Sequence, residues 1–202
     1  MLYYERKLKK SGYDLIIGVD EAGRGPLAGP VVAGAVCIQD KRFKSRIDDS
    51  KKLSSQQRLS AYLEIADKCF FGIGIVSEEV IDRINILKAT QAAMESAIGG
   101  LLTKIKDLNK RRPYIIVDGN VKLSAAYPCL PIIDGDSKSK SIACASIMAK
   151  VTRDRIMCVY DRIYPEYGFV IHKGYPTEKH RRAIKRFGPS GIHRKTFCYA
   201  KA

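Results

Sequence analysis

At 202 residues with a formal net charge of +15, the chain is long enough to bury a core without covalent staples and basic enough to imply a polyanionic partner. Apolar residues at 46% and charged residues at 28% exclude a disordered composition, and no apolar run approaches the roughly 20 residues of a membrane-spanning helix. No signal-peptide pattern, repeat or Pro/Gly/Ser-rich linker is present, so a cytoplasmic protein built as one domain over 1–202, a monomer with a helical C-terminal portion from about 165, is expected.

The runs 15–19 and 31–38 are short, apolar and β-branched, bounded by glycine and proline, and predict two neighbouring buried strands. Residues 50–66 have helical spacing through Leu53, Leu59, Tyr62, Leu63 and Ala66, with Lys51 and Lys52 at the start. A third strand follows at 69–76. A longer helix is expected over 85–105 from the stripe Ile86, Leu87, Ala89, Ala93, Ala97, Leu101 and Ile105, with Gly99-Gly100 as a place to end or kink it. Strands are predicted at 114–117 and 131–133, then a helix over about 139–160 whose Ala143, Ala145, Ser146 and Ala149 permit close approach to a sheet. A last helix spans 177–187 and stops at Gly188-Pro189. This order predicts an α/β fold with a mixed central sheet flanked by helices.

Cys37, Cys69, Cys129, Cys144, Cys158 and Cys198 form no C-x-x-C pair and no zinc spacing, so free thiols of a reducing compartment are expected. The positive charge is uneven. Residues 1–100 carry 15 Lys/Arg against 13 Asp/Glu, and residues 101–202 carry 21 against 8, which assigns the polyanion to the second half.

Against this basic background stand acids at the ends of apolar strands. Asp20 and Glu21 follow Leu15-Ile16-Ile17-Gly18-Val19, Asp118 follows Tyr114-Ile115-Ile116-Val117, and Asp136 follows Ile132-Ile133. One such acid is an ordinary turn residue. Several converging carboxylates suit Mg²⁺ or Mn²⁺, while lysines and arginines suit phosphates, and four of them can hold two divalent ions for in-line displacement at a phosphodiester. Asp134, two residues before Asp136, would share its face on a continuing strand, and Asp154 is read as an ion-pair partner of neighbouring arginines. His172, His180 and His193 lie in no Ser or Cys pattern for covalent catalysis and are read as surface or phosphate-facing.

The segment Gly18-Val19-Asp20-Glu21-Ala22-Gly23-Arg24-Gly25-Pro26, together with Asp49-Ser50-Lys51-Lys52-Leu53, Val117-Asp118-Gly119-Asn120, Gly135-Asp136-Ser137, Ala145-Ser146-Ile147-Met148-Ala149-Lys150 and Lys173-Gly174-Tyr175-Pro176-Thr177, resembles the bacterial type 2 ribonucleases H over nearly the whole chain. The resemblance implies a ribonuclease H-like fold, Asp20, Glu21, Asp118 and Asp136 as catalytic metal-binding acids, and Mn²⁺ or Mg²⁺ as cofactor. It also implies that Gly23, Arg24 and Gly25 read a ribonucleotide 2′-hydroxyl, that Tyr175 packs on the sugar beyond the cut, and that Lys51, Ser146, Lys150 and Arg153 meet backbone phosphates. The expected substrates are RNA/DNA hybrids and duplex DNA with embedded ribonucleotides. Phe197 and Tyr199, in the segment 196–202, leave two readings open: packing on the domain, which is favoured, or contact with a sliding clamp. The rivals are a type 3 ribonuclease H, a non-catalytic nucleic-acid binder, and another nuclease of the same superfold.

Overall fold

A computed structural model describes residues 1–40, 42–124 and 126–197. Five strands form one sheet in the order β3-β2-β1-β4-β5: β1 Leu15–Ala22, β2 Val31–Ile38, β3 Cys69–Val76, β4 Pro113–Asp118 and β5 Cys129–Ile132. The first three are antiparallel, and β4 and β5 run parallel to β1, giving the mixed sheet expected. No helix is long and apolar enough to cross a membrane among the described residues.

The helices are α1 Tyr3–Lys10, α2 Ser55–Lys68, α3 Glu78–Ile84, α4 Ile86–Leu102, α5 Gly135–Lys138, α6 Lys140–Ile163, α7 Phe169–His172 and α8 Glu178–Phe187. One face of the sheet is covered by α4, whose Ala89, Ala93, Ala97 and Leu101 pack on Leu15, Ile17, Val19, Ile115 and Val117. On the other face, α6 lies against Gly18 and Gly34. A Cβ on Gly34 would stand 2.5 Å from the Ala145 carbonyl oxygen, and one on Gly18 would overlap the Ser141 backbone, so helix and sheet meet backbone to backbone. Farther along, α8 and the segment around Phe169 bury Tyr167, Phe169, Ile184 and Ile192 with Leu27, Ala28 and Met157.

Several expected elements change. The helix over 50–66 is two pieces: a 3₁₀ turn at Ser50–Lys52 carries both lysines, and Ser54 then caps α2, with its Oγ accepting from the Gln57 N–H and the Gln57 side chain accepting from the Ser54 N–H. Because this capping box resets the helix, a phase counted from Leu53 misses its buried face. Ala61 and Ile65 point inward, while Leu59, Leu63 and Ala66 are exposed. The helix over 85–105 begins after Asn85, whose φ of 69° separates α3 from α4, and Gly99-Gly100 neither ends nor breaks it, since helix continues to Leu102. β1 runs on through Asp20 and Glu21, so these acids lie within the strand rather than after it. Cys37, Cys69, Cys129, Cys144 and Cys158 are free thiols, and Cys198 lies outside the described residues.

Candidate active site

Parallel pairing sets Val19 opposite Val117, so the next residues, Asp20 and Asp118, stand side by side at adjacent strand ends. Alternation puts Asp20 on the α6 face with Ile16 and Gly18, and Glu21 on the opposite face near the end of the strand. Asp20 is 5% exposed. Burial, and then the charges of Glu21 and Asp118, raise its pKa well above the ordinary carboxylate value, against hydrogen bonds from Ser146 and from the Glu21 N–H, the latter at 2.7 Å. Burial also raises Glu21, with the Asp118 charge adding to the rise and Arg24, 3.4 Å away, opposing it.

Asp136 reaches the same place from the short helix α5. β5 ends at Ile132, and Asp134 adopts φ 53° ahead of the helix, so the two aspartates do not share a strand face. Asp134 is exposed, whereas Asp136 is 7% exposed and is pushed up to about 6 by burial and by the charges of Asp118 and Asp49, against Lys51. Asp118 holds α5 in place, its Oδ1 accepting from the Gly135 N–H at 2.6 Å. It is also the one carboxylate whose charge is felt by each of the other three.

Lys51 faces this group from the 3₁₀ turn. Burial lowers its pKa, but the charges of Asp49, Asp136, Asp20 and Asp118 outweigh that and raise it. The turn is fixed from below by Ser50 and Ser146, whose hydroxyls are 2.9 Å apart and buried, so Ser146 lies on the floor of the site, 4% exposed. Among the described residues no group of three or more His, Cys, Asp or Glu side chains is arranged to hold a metal ion as it stands. The acids are brought within electrostatic reach of one another, and their donors are all hard carboxylate oxygens in a partly buried setting, the chemistry that Mg²⁺ and Mn²⁺ prefer.

Beside the acids, the segment Gly23-Arg24-Gly25 is held by Arg194. Its guanidinium donates to the carbonyls of Gly23 (2.6 Å), Arg24 (3.0 Å), Pro26 (2.8 Å) and Gly29 (2.7 and 3.0 Å). Gly23 has φ 101°, and a Cβ there would strike the Arg153 side chain, so only glycine fits. Arg153 is fully buried and donates to Pro30, Ala28 and Lys173 carbonyls, which corrects the expectation that it meets phosphate. Burial lowers the pKa of both arginines, that of Arg194 to about 9, with Arg153 adding to its shift.

Tyr175 is 40% exposed and so is not a core aromatic, and it stands over Gly25, with Lys150 Nζ 5.8 Å from its ring centre. Lys150 is paired with Asp154 at 2.8 Å, so Asp154 is an ion-pair partner as expected, though of the lysine rather than of its arginine neighbours. The histidines are neither at the surface nor facing phosphate. His172, His180 and His193 are buried. His172 and His180 stack at 4.3 Å, His180 Nε2 is 3.0 Å from His193 Nε2, and His180 Nδ1 is 2.9 Å from the Tyr175 carbonyl oxygen. Phe197 packs partly buried against two core clusters and under the Arg194 guanidinium. Tyr199 and the rest of 198–202 lie outside the described residues.

Sequence reasoning left Asp49 and Ser50 without a role and missed the anchoring by Arg194 and Arg153. The Asp49-Ser50-Lys51 block was visible as a motif, but a buried arginine that serves only carbonyls leaves no carboxylate partner to find.

Residues 17–200 match the family described as Ribonuclease HII. The chain belongs to this family. The ribonuclease HII of Chlamydia muridarum is 50% identical over 200 residues, 98% of this chain and 88% of that one, and that of Ruminiclostridium cellulolyticum is 48% identical over 198 residues, 98% and 75%. The ribonuclease H2 of Pyrococcus horikoshii superposes with a TM-score of 0.73 at 27% identity, covering 93% of this chain and 95% of that one. Bst-RNase HIII, solved in complex with Mn²⁺, superposes with a TM-score of 0.68 at 20% identity, covering 92% and 67%, and shares the fold. The sheet and its helices are thus those of a ribonuclease H-like fold, and ribonuclease HII membership makes the chain a hydrolase with ribonuclease H endonuclease activity.

Proposed function

We propose that the chain cuts on the 5′ side of ribonucleotides, in RNA/DNA hybrids and at single ribonucleotides embedded in duplex DNA, leaving 3′-hydroxyl and 5′-phosphate ends and so removing ribonucleotides from DNA. The observation that carries this reading is the β1–β4 register, which sets Asp20 beside Asp118 with Glu21 and Asp136 in electrostatic reach. Asp20, Glu21, Asp118 and Asp136 would hold two divalent ions, Mg²⁺ or Mn²⁺, as the Mn²⁺-bound neighbour encourages. Such ions supply an activated water and charge compensation at the leaving oxygen.

The remaining steps fall to this chain's own groups. Asp118 keeps the acids together through its bond to Gly135. Lys51 and Lys150 meet backbone phosphates as point charges. Ser146, which supports Asp20 and Ser50, fixes the floor on which the phosphate rests. Gly23, Arg24 and Gly25 bring backbone against the ribose, where the absence of a Cβ at the glycines permits contact with the 2′-hydroxyl that separates RNA from DNA, and Tyr175 packs on the next sugar. Cleavage of a labelled DNA duplex carrying one ribonucleotide tests the reading. The wild type should cut 5′ to the ribonucleotide with Mg²⁺ or Mn²⁺, EDTA should abolish cutting, and Asp118→Asn should be inert. An intact duplex in both metals, or cutting that persists in EDTA, overturns it.

A further inference from the structure

The basic N-terminal helix is not used by any step above. Arg6, Lys7, Lys9 and Lys10 of α1 are exposed, and its single acid, Glu5, is turned inward, where Oε1 accepts from Ser139 Oγ at 2.7 Å and from the Ser141 N–H and hydroxyl at 2.9 and 2.7 Å. Among the described residues no acid pairs with this outward face, which carries like charges at i,i+3 and i,i+4 (Arg6–Lys9, Lys7–Lys10 and Arg6–Lys10), spacings that weaken a helix. The helix dipole favours cations in the last turn but does not account for Arg6 or for Lys140, which continues the stripe beside the start of the helix.

That continuation leads to the acids. Leu2 bridges Ser139, and the Lys140 N–H donates to the Met1 carbonyl at 2.6 Å, so the start of α1 is fastened where α5, which carries Asp136, gives way to α6. A groove of about 350 Å³ runs between Met1, Leu2, Arg6, Ile47 and Lys140. One wall, Ile47, is two residues from Asp49, and the other, Lys140, is four from Asp136. Nearby Asp48 is neutralised by Arg46 at 2.6 Å and Lys52 at 3.9 Å. Tyr3, 65% exposed, stands at the same end of the helix.

We infer that the α1 face and this groove form a second contact surface for nucleic acid, gripping the phosphate backbone of the duplex arm that extends past the cut. The inference rests on the nuclease reading above. It places a phosphate track in the N-terminal half, whose overall charge is nearly balanced, and it makes grip on the substrate depend on duplex length.

Equilibrium binding measured by fluorescence anisotropy in EDTA, with no cleavage involved, tests it. The variant Arg6→Gln/Lys7→Gln/Lys10→Gln is compared with the wild type on two duplexes bearing one ribonucleotide, one long on both sides and one truncated close to the ribonucleotide, across a salt series. On the long duplex the variant should bind about tenfold more weakly at low salt, with a slope of log K against log salt shallower by about two to three. On the short duplex the two proteins should match, and kcat at saturating substrate should be unchanged. Equal affinity and slope on the long duplex, or an equal loss on both lengths, overturns the inference while leaving the nuclease reading intact. Wild type that fails to bind either duplex removes both. Anionic phosphatidylserine vesicles form a third arm, and loss of vesicle binding in the variant with duplex binding unaltered would reassign the face to a lipid surface and overturn the inference.

Discussion

Arg194 and Gly23 lie 171 residues apart, yet the arginine Nη2 donates to the glycine carbonyl at 2.6 Å. The same guanidinium holds Arg24, Pro26 and Gly29, so one C-terminal side chain shapes the first part of the loop beside the acids while Arg153 holds Ala28 and Pro30. Arg194→Ala should leave these carbonyls without donors and cost about 3 kcal/mol of stability. Arg194→Lys should recover little, because a single ammonium cannot reproduce the fork. Urea denaturation checks both, and an Arg194→Ala protein as stable as the wild type would show that the loop does not depend on this anchor.

Neutralising Asp118 should separate catalysis from folding. Asp118→Asn keeps an oxygen able to accept from the Gly135 N–H but removes the charge that adds to the rise burial gives Asp20, Glu21 and Asp136. Cleavage should fall about a thousandfold or more, while the melting temperature at neutral pH stays level or rises as repulsion is relieved. A variant that is inactive because it has unfolded would count against this separation.

Divalent cations should stabilise the fold through the same acids. Added Mg²⁺ or Mn²⁺ should raise the wild-type melting temperature with increasing concentration, by the linkage of binding to folding, and EDTA should reverse the rise. The shift should vanish in Asp20→Asn/Asp136→Asn. A shift of equal size in that double variant would place the ion elsewhere.

The histidine cluster sets an acid limit on stability. Burial lowers His180 and His193 to about 4, with each lowered further by its histidine neighbours. In the folded chain they stay neutral while the unfolded chain takes up protons below about 6.5. Their contribution is thus complete above that pH and is lost as pH falls toward 4, at no more than about 1.4 kcal/mol per pH unit for each. Asp20, Glu21 and Asp136, whose pKa values are raised, act in the opposite sense as acid discharges them. The histidine part is therefore read as a difference: between pH 7.5 and 5 the wild type should lose more melting temperature than His180→Gln/His193→Gln. Parallel curves would argue that these rings titrate normally.

Tyr175 should matter for substrate and not for stability, since its ring is 40% exposed. Tyr175→Ala should lower kcat/KM on a single embedded ribonucleotide about tenfold, with Tyr175→Phe close to wild type. Unfolding that is perturbed as strongly as activity would assign this ring a structural role instead.

The strands were legible because β-branched, apolar runs bounded by glycine and proline leave few alternatives. The predicted limits 31–38 and 69–76 coincide with β2 and β3. Asp118 at the end of β4 was legible for the same reason, whereas Asp20 and Glu21 lie inside β1 and Asp136 on α5. What the sequence hid depends on contacts between distant segments. Without the backbone conformation of Asp134, a continuing strand could not be told from a turn into α5. The buried sides of Arg153, Arg194 and the three histidines were invisible because polar residues read as surface until their carbonyl and ring partners are known. The short helices α1, α3 and α7 escaped because seven or eight residues, or four, give too few turns for a period to show.

The seating of α6 on Gly18 and Gly34 has a bearing on motion. Where main chain lies on main chain there are no rotamers to absorb a shift, so Ser146 and Asp20 keep their spacing as rigidly as two rungs of one ladder. Any adjustment that admits a bulky substrate must then be made by the segments whose hold is a side chain: the Arg194-bound loop, the Lys51 turn and the Tyr175 corner.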